Sequence, residues 1–162
     1  MSYEGELKFT TAGDFMTYKK QIAIASDHAG YIAKDMVRDW LRERDYVTDD
    51  FGVLNNDSVD YPDYAKKVCL NILGKNSDVG ILICGTGIGM SMVANRFPEI
   101  RAALCTDNYT AEMARLHNNA NVLCLGARVL DPNNICSIVE TFLNTEFEYN
   151  EKHLNRINKF SY

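Results

Sequence analysis

Apolar residues come along this chain in two kinds of run that alternate. Gln21 to Ser26 (QIAIAS) and Val79 to Cys84 (VGILIC) are short and nearly continuous, the pattern of strands buried on both faces. After the first run, Ile32, Met36, Val37, Trp40 and Leu41 recur with the period of about 3.6 residues that lines one face of a helix. Tyr46 to Phe51 reads as a second strand, more polar than the others. Tyr64, Ala65, Val68, Cys69 and Ile72 again share a helical face, and Pro62 stands near where that helix would start. Downstream, Ile88 to Asn95 predicts a helix, Arg101 to Cys105 a buried strand, Asn108 to His117 a helix, and Asn121 to Leu125 another buried strand. Asp131-Pro132 opens a helix that runs to Leu143, and the polar, basic stretch from Tyr149 to Tyr162 predicts a helical tail. This alternation predicts an α/β protein whose parallel sheet is covered by helices on both faces. Residues 1–20 show no clear period and read as an N-terminal extension, which leaves residues 21–162 as a single domain.

Composition narrows the partners. The net charge is −5, from 22 acidic against 17 basic residues, which argues against a nucleic-acid protein. A small anionic substrate is still allowed, because a few clustered cations suffice for it. Five cysteines, an odd number with no C-x-x-C pair, argue against a disulfide framework or a zinc site and fit a reducing cytoplasm. No apolar stretch approaches a membrane span, and the N-terminus lacks a secretory hydrophobic core.

Chemistry is expected at the carboxyl ends of the strands, where open parallel sheets bind ligands. Cys84-Gly85-Thr86-Gly87-Ile88-Gly89 stands at one such end. Its G-x-G-x-G spacing misses the dinucleotide fingerprint, since position 90 is Met90, and it lacks the Gly-Lys-Ser/Thr of a Walker loop. What remains is a glycine-rich turn feeding a helix start, where backbone N–H groups favour negative charge, or else a tight turn with a structural role only. Such a setting favours the thiolate of Cys84, the form that acts as base or nucleophile. Cys105 and Cys124 stand in similar places and read as small core residues. Asp27-His28 ends the first strand. There Asp27 could meet sugar hydroxyls or cap the next helix, and His28 could meet a phosphate. His117-Asn118 closes a helix pattern, where a histidine also suits the helix dipole. Arg128 follows another strand end, and Lys152 and Arg156 share a face of the tail.

Together these segments resemble a known family. Ser26-Asp27-His28-Ala29-Gly30, Asp60-Tyr61-Pro62-Asp63-Tyr64-Ala65, the Cys84 to Ser91 block, Ala94-Asn95, Ile100-Arg101-Ala102, His117-Asn118 and Gly126-Ala127-Arg128 occur in this order. The chain resembles the type B ribose-5-phosphate isomerases, a family shared with galactose-6-phosphate isomerase subunits, over residues 21 to 159. The resemblance implies a Rossmann-like three-layer α/β/α sandwich with a mainly parallel five-stranded sheet. It implies homodimers or tetramers with the site at the subunit interface, and the interconversion of ribose 5-phosphate and ribulose 5-phosphate without metal or cofactor. By resemblance Cys84 is the base, Thr86 assists it, and His117 opens the sugar ring. Asp27, Tyr61, Gly85, Gly87, Ile88, Gly89 and Asn118 bind the sugar, and the phosphate falls to His28, Arg128 and Arg156. Lys152 stands where many relatives carry an arginine, a point charge in place of a planar fork. Isomerisation of allose or galactose 6-phosphate is the nearest alternative. A flavin-binding or receiver-like module on the same topology is a remote one.

Overall fold

The computed structural model describes residues 19–160. In chain order the elements are β1 (Ile22–Ser26), α1 (Tyr31–Arg42), β2 (Thr48–Asp50), α2 (Tyr61–Leu73), β3 (Val79–Cys84), α3 (Ile88–Ala94), β4 (Ala102–Leu104), α4 (Asn108–Asn118), β5 (Val122–Gly126), α5 (Pro132–Asn144) and α6 (Glu151–Ile157). The strands form one five-stranded sheet in the order β2-β1-β3-β5-β4, with every neighbouring pair parallel. Alternate strand residues feed two cores, as the two-residue period of a strand requires. Ile22, Ile24, Ile81, Ile83, Leu123 and Leu125 pack under α1, α4 and α5. On the other face Ala23, Ala25, Leu82, Cys84, Val122 and Cys124 pack under α2 and α3. The result is the three-layer α/β/α sandwich expected from the sequence.

This topology decides where a ligand can sit. From β1 the chain goes outward to β2 on one side and returns to β3 on the other. That reversal opens a crevice between the carboxyl ends of β1 and β3. Asp27-His28 and the Cys84 turn flank it.

Two expectations change. The helical period puts Ile32 on the core face of α1, yet it is 80% exposed. The face actually turned inward carries Lys34, Val37 and Leu41. Lys34 is fully buried, and its Nζ lies 2.7 Å from Asp50 Oδ2 and 3.1 Å from Asp35 Oδ1. A charge can occupy that position only because β2 ends in a carboxylate beneath it. Likewise β4 is not a buried strand. It is the sheet edge, its residues are only partly covered, and Leu104 is exposed.

Asp50 also accepts a hydrogen bond from the Gly52 N–H and one from Arg38. Burial alone would raise its carboxyl, but Lys34, Gly52 and Arg38 together hold it below the usual carboxylate range. A folded-state value depressed in this way gives stability that is complete above the unfolded carboxylate range and is lost as pH falls through the folded value. Asp50→Asn is therefore expected to destabilise the chain by about 3 kcal/mol at neutral pH, because it strips a buried ammonium of its main partner. Urea unfolding checks this, and the gap between variant and wild type should shrink as pH falls into the acid range.

Lys20, at the end of the segment read as an extension, donates to Leu143 O at 2.6 Å and pairs with Glu146 at 2.9 Å. The rest of that extension, residues 1–18, lies outside the described residues. Among the described residues no helix is long and apolar enough to cross a membrane.

Candidate active site

Cys84 is the last residue of β3 and is 5% exposed. The turn after it is bent so that the Gly87 N–H donates to Cys84 Sγ at 3.1 Å. Gly87 reaches this geometry with φ 76°, a left-handed conformation that suits glycine. A Cβ there would lie 2.5 Å from Leu104 Cδ1. The Thr86 side chain is exposed at the mouth of the turn, and its Oγ1 accepts from the Ile88 N–H at 3.3 Å.

Neighbouring elements complete this edge. The Ala127 N–H donates to Cys84 O at 2.8 Å and the Arg128 N–H to Gly85 O at 2.9 Å, so the end of β5 is laced to the turn. The Arg128 side chain passes beside Gly85. The Tyr61 ring lies over Gly89, where a Cβ would come within 2.6 Å of it. Asp27 is buried, and its Oδ1 accepts from the N–H groups of Ala29 (2.9 Å) and Gly30 (3.0 Å), so it does brace the turn before α1. His28 Nδ1 accepts from the Val59 N–H at 3.3 Å, which leaves Nε2 as the nitrogen that carries the ring proton. Asp27, His28, Tyr61, the stretch from Cys84 to Gly89, and Arg128 thus gather at the carboxyl edge of the sheet.

The remaining predicted residues do not join them within one chain. From Asn108, at the carboxyl edge, α4 runs back along the sheet for 11 residues, about 16 Å at 1.5 Å per residue. It delivers His117 and Asn118 to the amino edge, where the Asn121 N–H donates to Arg101 O at the start of β4. There Asn118 helps to line a cavity of about 430 Å³ with Asn95, Ile100, Arg101 and Phe160. α6 packs against α4 at this end and carries Lys152 and Arg156, both exposed. One set of groups therefore stands at each end of the sheet.

Two further residues stand at the amino edge, His153 of the basic tail and Glu148, neither of them among the expected site residues. The His153 ring stacks on His117 with centroids 4.4 Å apart and 16° between planes, and its Nε2 lies 3.4 Å from Glu148 Oε2. Contact between separate helices is invisible to spacing along one of them. The donor atoms of His117, Glu148 and His153 lie within 4.8 Å of one another. Near-parallel rings aim their in-plane lone pairs side by side rather than at one point, so the stack would have to break to coordinate a metal.

The other strand-end thiols behave as core groups. Burial pushes Cys105 up to about 11 and Cys124 well above the ordinary thiol value.

The Ribose/Galactose Isomerase family model matches residues 22–160. A Rickettsia bellii (strain RML369-C) protein, named only as a sugar phosphate isomerase, is 52% identical over 127 residues, 78% of this chain and 88% of that protein. Ribose-5-phosphate isomerase B of Escherichia coli (strain K12) is 41% identical over 138 residues, 85% of this chain and 92% of that protein. The crystal structure of a ribose 5-phosphate isomerase from Thermotoga maritima superposes with a TM-score of 0.86 at 48% identity, over 88% of this chain and 98% of the other. The family match runs from the start of β1 to beyond α6, and the chain belongs to the ribose/galactose isomerase family.

Proposed function

We propose that the chain interconverts D-ribose 5-phosphate and D-ribulose 5-phosphate, at a site assembled from the carboxyl edge of one subunit and the amino edge of a second copy. The observation that carries this reading is the Cys84 sulfur held by the Gly87 N–H, with the Arg128 side chain beside Gly85 and the Tyr61 ring over Gly89. The separation of Cys84 from His117 within one chain supports the two-subunit site. So do the exposed apolar residues Ile88, Met92 and Leu104 beside the Cys84 turn. A two-fold dimer would build two identical sites in this way. The five cysteines are free, which suits a cytoplasmic enzyme.

In this mechanism His117 donates a proton to the furanose ring oxygen as the C1 hydroxyl passes its own to water, the C1–ring oxygen bond breaks, and the open-chain aldehyde results. The Cys84 thiolate then takes the C2 proton. Negative charge moves onto the oxygens at C1 and C2, against the N–H groups of the Gly85–Gly89 turn, which contribute about 3–4 kcal/mol per well-placed donor. Cys84 returns the proton to C1, while a proton passes from O2 to O1 with help from the Thr86 hydroxyl, and the ketose results. His28 through Nε2–H, together with Arg128, Arg156 and Lys152, holds the phosphate and so orients the reacting carbons. Asn118 and Asp27 hold sugar oxygens. No step requires a metal or a cofactor.

Specificity constants for ribose 5-phosphate, allose 6-phosphate and galactose 6-phosphate test the substrate. Ribose 5-phosphate is expected to lead by at least about tenfold, the discrimination one extra carbon allows. A higher constant for either hexose phosphate would reassign the substrate and leave the chemistry in place.

A further inference from the structure

His153 has no part in the reaction just described, yet it is firmly held at the amino edge. It is 6% exposed. Asn150 caps α6 by accepting from the His153 N–H at 3.2 Å, and Glu148, whose carboxylate faces the His153 ring, is tied to α4 through its own N–H on Leu116 O at 2.9 Å. Both members of the Glu148–His153 pair are thus fixed by backbone bonds close to His117. Among the described residues no hydrogen bond holds the His117 ring; the stack on His153 does.

We propose that His153, steered by Glu148, is a positioning residue that fixes the angle of the His117 imidazole for proton delivery to the sugar ring oxygen. The inference rests on the isomerase reading above. A flat ring lying against one face of an imidazole restricts its rotation and leaves its edge nitrogens free. Proton transfer depends steeply on that placement, since a displacement of about 1 Å can cost about 10²-fold.

Ribulose 5-phosphate separates the two parts of the reaction. Its O5 is esterified, so it cannot close a furanose ring and reaches the enediolate without ring opening. In D2O, deuterium wash-in at its C1 reads enediolate formation alone, whereas net conversion of ribose 5-phosphate reads ring opening as well. His153→Leu, which fills the space without a flat face, is expected to lower net conversion about 10- to 100-fold and to leave wash-in within about threefold of wild type. His153→Phe restores a flat face and is expected to recover most of the lost conversion. Glu148→Ala alters an exposed side chain and serves where a His153 variant does not fold. It is expected to show the same asymmetry at about three- to tenfold. The inference is overturned if conversion and wash-in fall together, if Phe does no better than Leu, or if conversion stays at the wild-type level in every folded variant. A wild-type chain inactive in both readouts instead removes the isomerase reading, and the inference with it.

Discussion

Cys84→Ala is expected to remain folded and to lose isomerase activity by about 10²–10⁴-fold, the usual contribution of a positioned general base. The substitution removes one sulfur from a small, buried site and one accepted hydrogen bond, from the Gly87 N–H. Its structural cost should stay near 1–2 kcal/mol, by the measure of small core truncations. The loss of rate cannot be blamed on unfolding if the thermal midpoint moves by only a few degrees. Turnover within tenfold of wild type would rule out a cysteine base. Cys105→Ala provides the control: burial holds that thiol up to about 11, so it stays protonated at neutral pH, and the rate should not change.

The second large effect concerns assembly. Cys84→Ala and His117→Asn should each be nearly inactive alone, since each dimer would carry two damaged sites. Co-expressed in equal amounts, they should recover about a quarter of the wild-type activity. Half of the dimers would then be mixed, and each of those would hold one site with both residues intact. Dual-tag purification isolates the mixed species, whose rate per dimer should approach half that of wild type. Mixed dimers with no activity would mean that both groups act within one chain, against the placement of His117 at the amino edge. A fully active His117 variant would remove it from the reaction.

How much of this was legible in the sequence depended on whether the information is local. VGILIC marked β3 to the residue because a strand buried on both faces has no polar interruption. The orientation of α1 was not legible. Its pattern favoured Ile32, whereas the inward position belongs to Lys34, and the reason is a carboxylate on β2 that lies 16 residues away. β4 looked buried because AAL is apolar, but edge position is a property of sheet order, which no single segment carries. The Cys84 turn could be read as a glycine-rich turn feeding a helix, and its spacing matches neither nucleotide motif. That His117 stands about one helix length from Cys84 could have been inferred from the β4–α4–β5 order alone, because a crossover helix must return the chain to the amino edge. The partnership of His117 with His153 could not, because it depends on how α6 folds back over α4.

The lacing of β5 to the Cys84 turn bears on substrate length. Ala127 and Arg128 are bonded through their own backbone N–H groups to the carbonyls of Cys84 and Gly85, and Gly126 lies so close to Thr86 that a Cβ would fall 2.7 Å from its carbonyl oxygen. In the proposed site the sulfur that takes the carbon-bound proton and the start of the arm that grips the phosphate therefore ride on one stiff bracket. A sugar is measured against that bracket as against a caliper, one jaw on C2 and the other on the phosphate. An extra carbon cannot be absorbed by letting the turn drift from the strand, so it has to be taken up at the other jaw, by the partner's groups or by the bend of the sugar chain itself.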